Sequence, residues 1–295
     1  MNKFEAICKM SQKTLKKYVT EELKKTYKDV VVDDGFVFAQ GEFPVLLVAH
    51  MDTVHQKLPE VIIYNSKTKS LSSPQGIGGD DRCGVYMILE IIKKYNCSVL
   101  FCEDEEVGGV GARKFTRNKL TDKLKFHYIL EFDRKGDKDA VFYDCDNEDF
   151  EEFITEEFYE TAYGTFSDIS IIAPELGCAA VNLSCGYYKA HTNQEYVVIP
   201  EMEASIEAAC KILERTGKYD EYEYIEAKYS YNSFYSGYND IEKYYIIEYV
   251  DKYGHTDWFD VCASSEVEAI GMFCIEYPQL TYNHIIDICV DNYTY

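Results

Sequence analysis

Five short polar segments carry residue types that could bind a metal ion, and each follows an apolar run. They are His50-Met51-Asp52, Asp80-Asp81, Glu103-Asp104-Glu105-Glu106, Asp133 and, one loop beyond its apolar run, His191. Carboxylate oxygens combined with two imidazoles and no thiolate suit zinc, cobalt or manganese better than calcium. The residue types therefore predict a site for divalent cations.

The number of ligands favours two cations over one. A single tetrahedral zinc with an open position needs three protein ligands, whereas two zincs that share a carboxylate need five. Two histidines and three carboxylates supply five. We therefore expect two divalent metal ions, with Zn²⁺ as the first choice and Co²⁺ or Mn²⁺ as alternatives.

The apolar runs before these segments indicate strands of one sheet. Val45–Ala49 is continuously apolar, as expected for a strand buried on both faces. Similar runs alternate with stretches of helical periodicity as far as a predicted helix over 199–217, after an opening helix over about 3–27. This alternation predicts an α/β fold of three layers, αβα, around a mixed, mostly parallel central sheet. Active groups of such sheets collect at the carboxyl ends of the strands, so the five segments should meet.

The same segments match the motifs of a known family in their order. The motifs are HMDTV at 50–54, GGDDRCG at 78–84, DEEVGGVGA at 104–112, Asp133 in EFD, and HTNQE at 191–195. Over roughly residues 1–217 the chain resembles the dinuclear-zinc exopeptidase superfamily, which includes tripeptidases, glutamate carboxypeptidases, aminoacylases and aminopeptidases.

The resemblance implies a role for each candidate ligand. Asp80 would bridge the two metal ions. His50 and Asp133 would complete the site of one ion, and Glu106 and His191 would complete the site of the other.

The resemblance also implies two catalytic residues beside the ligands. Asp52 would orient the His50 imidazole, as metal-bound histidines usually require. Glu105 would act as the general base that accepts a proton from the attacking water. The peptide bond between Asp80 and Asp81 is expected to be cis, as is common in this superfamily.

The chain departs from the superfamily in one respect. The carboxypeptidase and tripeptidase branch inserts a lid and dimerisation domain before the last histidine ligand. Here only 57 residues separate Asp133 from His191, and predicted strands and helices occupy them. We therefore expect a compact catalytic domain that lacks the lid, and the oligomeric state stays open.

Four further residues are candidates for contacts with a substrate. Phe166 and Ser167 lie where relatives carry a substrate loop, although this segment could simply cap the next helix. Tyr188 could frame the mouth of the site or pack within its loop. Arg82 could bind a substrate carboxylate, although a structural ion pair is the alternative.

These features predict a metal-dependent hydrolase, a cocatalytic zinc metallopeptidase that cleaves an amide bond of a short peptide as an exopeptidase does. An N-acyl-amino-acid deacylase, whose substrate would be an N-acyl amino acid, is the near alternative. The alternative from another class is a peptidase fold without activity that serves as a binding module.

The charge of the chain restricts its partners. There are 52 acidic residues against 30 lysines and arginines, so the net charge is −22. Such a chain is repelled by nucleic-acid phosphates and anionic lipids, and neither nucleic acid nor a membrane is an expected partner.

Composition also changes along the chain. Residues 219–295 contain 15 acids, 3 lysines and 15 of the 27 tyrosines, a net charge of −12. We expect a catalytic domain over 1–217, an acidic, tyrosine-rich linker over 218–240, and a small β-β-α-β module over 241–295.

The eleven cysteines indicate the compartment. Their number is odd, no C-x-x-C pair occurs, and most lie in apolar runs. These features favour reduced, buried thiols over disulfides or a thiolate zinc site. No apolar run approaches the roughly 18 residues that span a bilayer, and the N-terminus lacks the apolar core of a signal peptide. A cytoplasmic protein is the expectation.

Overall fold

A computed structural model of the chain describes residues 2–164, 166–218, 220–227, 243–250, 256–263, 269–270, 272–273, 276–277, 280 and 284–291. The chain divides into two compact units, Met1–Glu226 and Ala227–Tyr295. Each unit is described by itself.

The first unit alternates helices and strands along the chain. Its helices are α1 Asn2–Cys8, α2 Gln12–Leu23, α3 Gly79–Ile91, α4 Val110–Thr116, α5 Glu148–Thr155, α6 Ile169–Leu176 and α7 Ile199–Arg215. Its strands are β1 Val30–Asp33, β2 Phe36–Ala39, β3 Phe43–His50, β4 Ile63–Asn65, β5 Ser70–Ser72, β6 Cys97–Cys102, β7 Tyr128–Arg134, β8 Asp139–Val141, β9 Glu160–Ala162, β10 Ala180–Ser184, β11 Tyr187–Tyr188 and β12 Tyr196–Val198.

Eight strands form the central sheet in the order β1-β2-β6-β3-β7-β10-β8-β9. Strand β3 runs parallel to β6 and β7, β7 runs parallel to β10, and β8 runs parallel to β9. Strand β2 pairs antiparallel with β1 and β6, and β8 pairs antiparallel with β10. The carboxyl ends of β3, β6 and β7 therefore lie at one edge of the sheet. His50, the segment 103–106 and Asp133 are at these ends.

Helices cover both faces of this sheet. Alternate residues of β3 point to opposite sides: Val45 and Leu47 belong to one buried cluster, and Leu46 and Val48 belong to another. The first cluster includes residues of α1, α2, α3, α5 and α7, and the second includes residues of α4 and α6. The prediction of a three-layer α/β fold with a mixed, mostly parallel sheet is confirmed.

A second sheet in this unit was not predicted in full. It has four short strands in the order β11-β12-β5-β4, all antiparallel. Strands of two or three residues carry too little periodicity to be recognised in sequence. This sheet positions His191, which lies in the connection between β11 and β12 and does not itself follow a strand of the central sheet.

The opening helix differs from its prediction. One helix was expected over about 3–27, and the structure has two, α1 and α2. Ser11 begins the second helix as its N-cap, since its side-chain oxygen accepts a hydrogen bond from the Thr14 N–H at 3.2 Å. A serine that satisfies a free N–H in this way favours a new helix start over a continuous helix.

The first unit extends past the predicted boundary at residue 217. The Tyr222 N–H donates to the His127 carbonyl at 2.8 Å, and the Tyr222 carbonyl accepts from the Ala179 N–H at 2.9 Å. The Tyr222 ring stacks on Phe153. Residues 228–240 of the predicted linker lie outside the described residues, so the domain boundaries stay a prediction.

The second unit contains a three-stranded antiparallel sheet. Its strands are β13 Lys243–Val250, β14 Thr256–Ala263 and β15 Ile285–Asp291, with β13 in the centre. Tyr245, Ile247, Tyr249 and Val261 of this sheet are buried with Phe273. The helix of the predicted β-β-α-β module, expected between β14 and β15, lies largely outside the described residues.

The described residues can be searched for membrane-spanning helices and for disulfides. Within them, no helix combines the length and the apolar character that a bilayer crossing needs. The side chains of nine cysteines are described and all nine are free thiols: Cys289 is exposed, and the others are buried, namely Cys8, Cys83, Cys97, Cys102, Cys145, Cys178, Cys185 and Cys210.

Burial should protect these eight thiols from alkylation. Removal from water disfavours the thiolate, and burial raises the pKa of the Cys178 thiol to about 12. We expect iodoacetamide at pH 8 to label Cys289 in the folded protein and the eight buried thiols only in denaturant, as read by peptide mass spectrometry. Rapid native labelling of Cys178 or Cys102 would contradict the packing described here.

Candidate metal centre

Three of the predicted ligands converge at the carboxyl edge of the central sheet. His50 ends β3 and is 1% exposed. Its Nε2 lies 3.1 Å from Asp80 Oδ1 and 3.4 Å from Asp133 Oδ1. Ligand atoms of His50, Asp80 and Asp133 all lie within 4.8 Å of one another, which is close enough to surround one ion.

A second set of ligands shares Asp80 with the first. His191 Nε2 lies 3.2 Å from Asp80 Oδ2 and 3.1 Å from Glu106 Oε2. Asp80, Glu106 and His191 meet the same 4.8 Å limit. The two oxygens of the Asp80 carboxylate thus face the two imidazoles, one each, as expected of a bridging ligand.

Asp52 connects the two sets of ligands. Its Oδ1 lies 3.1 Å from His50 Nδ1 and accepts the Glu105 N–H at 3.0 Å, while its Oδ2 accepts the Glu106 N–H at 3.1 Å. One carboxylate therefore holds an imidazole and the backbone of the loop that carries the predicted base. The orienting role that the resemblance implies for Asp52 stays a prediction.

Asp81 fixes the backbone around Asp80. The Asp80–Asp81 peptide bond is cis, as expected. The buried Asp81 carboxylate accepts the N–H groups of His50 at 3.3 Å and Gly84 at 2.8 Å. A Cβ on Gly84 would lie 1.9 Å from the Phe132 carbonyl oxygen, so only glycine allows α3 to approach β7 this closely.

Glu195 is a functional candidate that sequence analysis missed. It is fully buried, and its oxygens accept the N–H groups of Asp80 at 2.9 Å and Gly78 at 2.7 Å. Its Oε2 also lies 2.7 Å from Nε2 of His55, a histidine without apparent context in the sequence. Glu195 is in the HTNQE motif, four residues after His191. Its place in the same motif as the predicted ligand His191 was the one sequence feature that could have identified it.

Carboxylates surround both histidines and keep them charged when no cation is bound. Hydrogen bonds to Asp80 and Glu106 raise the pKa of His191 to about 11. Burial opposes the charged form of His50, but Asp133, Asp52 and Asp80 raise its pKa well above the usual range. Burial likewise opposes ionisation of Asp80, and the two imidazoles nevertheless hold its pKa well below the usual range.

The other buried carboxyls near the centre resist ionisation. Burial raises the pKa of Glu105 to about 9, with further repulsion from Asp133 and Asp168. Burial and the charge of Asp80 raise the pKa of Asp133 to about 6. Burial raises the pKa of Asp168 to about 7 and that of Glu131 well above its usual range. Bound cations would offset the electrostatic repulsion among these carboxyl groups.

The donor set fits two divalent cations. Each set combines one imidazole nitrogen with carboxylate oxygens, a mixture that zinc, cobalt and manganese accept. Glu106 Oε1 is buried and has no hydrogen-bond partner among the described residues, so it is available as a ligand atom. His191 has a left-handed backbone, φ 63°, which a non-glycine residue adopts only where its surroundings hold it.

Known structures share this architecture. A match to an aminopeptidase PepT from Bacillus cereus ATCC 10987 has a TM-score of 0.59 at 15% identity and covers 72% of this chain and 96% of that chain. A tripeptidase from Staphylococcus aureus subsp. aureus Mu50 matches with a TM-score of 0.57 at 15% identity over 72% and 96%. The chain has the fold of these peptidases.

A third structure with the peptidase fold is an aminopeptidase from the archaeon Desulfurococcus kamchatkensis, with a TM-score of 0.57 at 16% identity over 73% and 94% of the two chains. No protein-family model matches the sequence, and no curated protein matches it significantly. The resemblance to the superfamily is therefore confirmed at the level of the fold.

The compact form of the fold is also confirmed. Between Asp133 and His191 the chain forms β8, α5, β9, α6, β10 and β11. Apart from Thr165, this span is fully described, and it contains no separate lid domain.

The four candidate substrate residues lie in different environments. Arg82 is 1% exposed, and its guanidinium donates to the carbonyls of Met51 and Met10. Arg82 therefore fixes the backbone next to His50 and is not placed to meet a substrate carboxylate, contrary to that expectation. The alternative expectation for Arg82, a structural ion pair with an acidic side chain, is not found among the described residues either.

The remaining three were predicted from the loops around the site. Ser167 is buried and its hydroxyl donates to Asp133 Oδ2 at 3.0 Å, so it holds a ligand. Phe166 is 39% exposed. The Tyr188 hydroxyl donates to Glu201 at 2.6 Å, and its ring stacks on Tyr196. Only Phe166 is free to meet a substrate in this arrangement.

Binding of zinc should release protons. The pKa of His191 is raised to about 11 in the cation-free protein and that of His50 is raised well above its usual range, but an imidazole ligates only when neutral. At pH 7 we expect a net release of on the order of two protons per chain, and zinc affinity that rises with pH. Calorimetric titration in buffers of different ionisation enthalpy measures this release. Zinc binding without net proton release would contradict the assignment of the two histidines.

Removal of one charge from Glu195 should weaken the centre. In Glu195→Gln one acceptor oxygen becomes an N–H₂ group, which leaves a buried backbone donor unpaired, at a cost of about 1–3 kcal/mol. We expect a lower free energy of unfolding in urea and weaker zinc binding. Glu60→Gln, at an exposed position, is the matched control and should change neither quantity.

Proposed function

We propose that the chain is a metal-dependent hydrolase that cleaves an amide bond of a short peptide, in the manner of an exopeptidase. One observation carries the proposal: two sets of three ligands share Asp80, on the fold of known aminopeptidases and a tripeptidase. A binding module has no need of two converging ligand sets with a buried acid beside them.

Five residues would hold two divalent cations in this proposal. His50, Asp133 and the shared Asp80 would bind one, and Glu106, His191 and Asp80 would bind the other. When bound, the cations supply Lewis-acid polarisation of a carbonyl and a lowered pKa for water.

Glu105 is the proposed general base. Its backbone N–H is held by Asp52, and its neighbour Glu106 belongs to the ligand set, so Glu105 lies at the same edge of the sheet as the ligands. Its pKa is raised in the cation-free protein, and nearby positive charge would lower it towards the operating pH, where a base is most effective. The Glu105 carboxylate would accept a proton from water and pass it to the leaving nitrogen.

Neighbouring side chains would keep the ligands in place during this transfer. Asp133 is held by the Asn182 side chain, which accepts its N–H at 2.9 Å and donates to its carbonyl at 3.0 Å. The Ser167 hydroxyl holds its carboxylate, and the Tyr187 hydroxyl donates to its carbonyl at 3.2 Å. Ligands held by several bonds need little reorganisation when substrate arrives.

The described free thiols accord with a reducing compartment. Secreted proteins of this size commonly oxidise their cysteines, whereas nine cysteines of this chain are free. We include a cytoplasmic location in the proposal.

Replacement of Glu105 by glutamine tests the proposed base. Glu105→Gln keeps the size of the side chain and removes its ability to accept a proton. We expect peptide hydrolysis to fall by at least about 100-fold, since general-base catalysis contributes about 10²–10⁴-fold. Zinc content, measured by mass spectrometry, should remain that of the wild type.

The Glu105→Gln experiment needs a control variant and wild-type protein with measurable amide hydrolysis. Glu152→Gln, at an exposed position of α5, should keep both activity and zinc content. Wild-type protein is assayed on di- and tripeptides and acyl-amino acids with added Zn²⁺, Co²⁺ or Mn²⁺. Absence of any amide hydrolysis, or full activity of Glu105→Gln, would overturn the proposal.

A further inference from the structure

A cavity of about 560 Å³ opens beside His191. Three segments line it: 54–57, which follows His50 and Asp52; 74–75, which precedes Asp80; and 191–193, which contains His191 itself. Each of these segments is continuous with a candidate ligand. A substrate whose scissile bond lies at the ligands can therefore extend one end into this cavity.

The charge of the cavity is opposite to that of the chain. No acidic side chain is among the eight residues that line it, although the whole protein has a net charge of −22. Lys57 is its one lysine. Lys57 is exposed, and the described residues offer it no ion pair.

One carboxylate close in sequence to this lining, that of Glu195, already has its hydrogen-bond partners. Glu195 is buried and binds the N–H groups of Gly78 and Asp80 together with the ring of His55. It therefore does not compete for Lys57. His55, in turn, presents Nε2 to Glu195, and Lys57 is the exposed lysine of the lining that an incoming anion would meet.

The polar neutral residues of the cavity can also donate hydrogen bonds. Gln75 Oε1 accepts the Ser73 hydroxyl at 2.8 Å and the Glu60 N–H at 3.4 Å, which leaves the Gln75 amide N–H₂ to donate. Gln56 and Asn193 add further amide groups. One ammonium group with several amide donors suits a carboxylate.

We propose that this cavity binds a carboxylate of the substrate, with Lys57 as the residue that sets the preference. The inference rests on the proposed function and extends it, because a carboxylate at this point places the leaving residue of the peptide in the cavity. The volume is within the range of small-ligand pockets and is sufficient for one or two amino-acid residues.

Two sources of carboxylate can be separated with three peptides. Ala-Ala has a free C-terminal carboxylate, Ala-Ala-amide has none, and Ala-Glu-amide has a carboxylate only on its side chain. Preference for Ala-Ala alone identifies the C-terminus, and equal preference for Ala-Glu-amide identifies an acidic side chain. Either result supports the proposed chemistry.

The Lys57→Gln variant tests whether Lys57 sets the preference for a carboxylate. We expect kcat/KM for the preferred carboxylate peptide to fall about fivefold to tenfold, chiefly through KM, because a charge-assisted hydrogen bond at an exposed site is lost. Ala-Ala-amide should change by less than about twofold. Lys57→Glu should reverse the preference, and Lys67→Gln, an exposed lysine outside the cavity, should leave it unchanged.

Binding measured without turnover separates this inference from the proposed function. Calorimetry with the zinc-loaded, full-length Glu105→Gln protein should give tighter binding of the preferred peptide than of Ala-Ala-amide. Adding Lys57→Gln should abolish that difference. If wild-type protein cleaves no peptide but this difference persists, the proposed function fails and the cavity assignment stands. Equal binding of acid and amide peptides, or an equal loss for both in Lys57→Gln, would overturn the inference.

Discussion

The carboxylate of Asp80 is the group on which the rest of this site depends. Its two oxygens face His50 and His191, at 3.1 and 3.2 Å. These histidines come from different sheets, since His50 ends a central strand and His191 lies between two strands of the smaller sheet. Because one residue pairs with both, the two sheets must keep a fixed relation at this point. The fold holds the two sheets so that Asp80 contacts both His50 and His191.

Acidic side chains around Asp80 hold the neighbouring backbone in place by accepting its N–H groups. Asp52 holds the N–H groups of Glu105 and Glu106, Asp81 holds that of His50, and Glu195 holds that of Asp80. Buried backbone donors must be satisfied, so these contacts are as necessary as the ligands. Cations at the two ligand sets would offset the repulsion among these acids.

The sequence predicted the part of the site that follows directly from sheet geometry. His50 and Asp133 end parallel neighbours, and the segment that contains Glu106 follows the strand on the other side of β3, so apolar runs and their polar termini were sufficient to group them. His191 was grouped with them because it lies one loop beyond an apolar run, whereas the short strands on either side of it leave no clear pattern in the sequence. The two opening helices were predicted as one because an internal N-cap serine does not interrupt the apolar periodicity.

Residues whose roles depend on distant partners could not be predicted. Arg82 sits beside a ligand in sequence, which suggested a substrate contact, yet its guanidinium binds the carbonyls of Met51 and Met10. His55 and Glu195 are 140 positions apart, and only the folded chain brings them within 2.7 Å.

A crystal structure of the zinc-loaded protein, with anomalous data collected at the zinc absorption edge, tests the central claim most directly. We predict two anomalous peaks, one on each side of the Asp80 carboxylate, with His50 and Asp133 at one peak and Glu106 and His191 at the other. A single peak, no peak, or peaks that do not contact Asp80 would contradict the dinuclear centre.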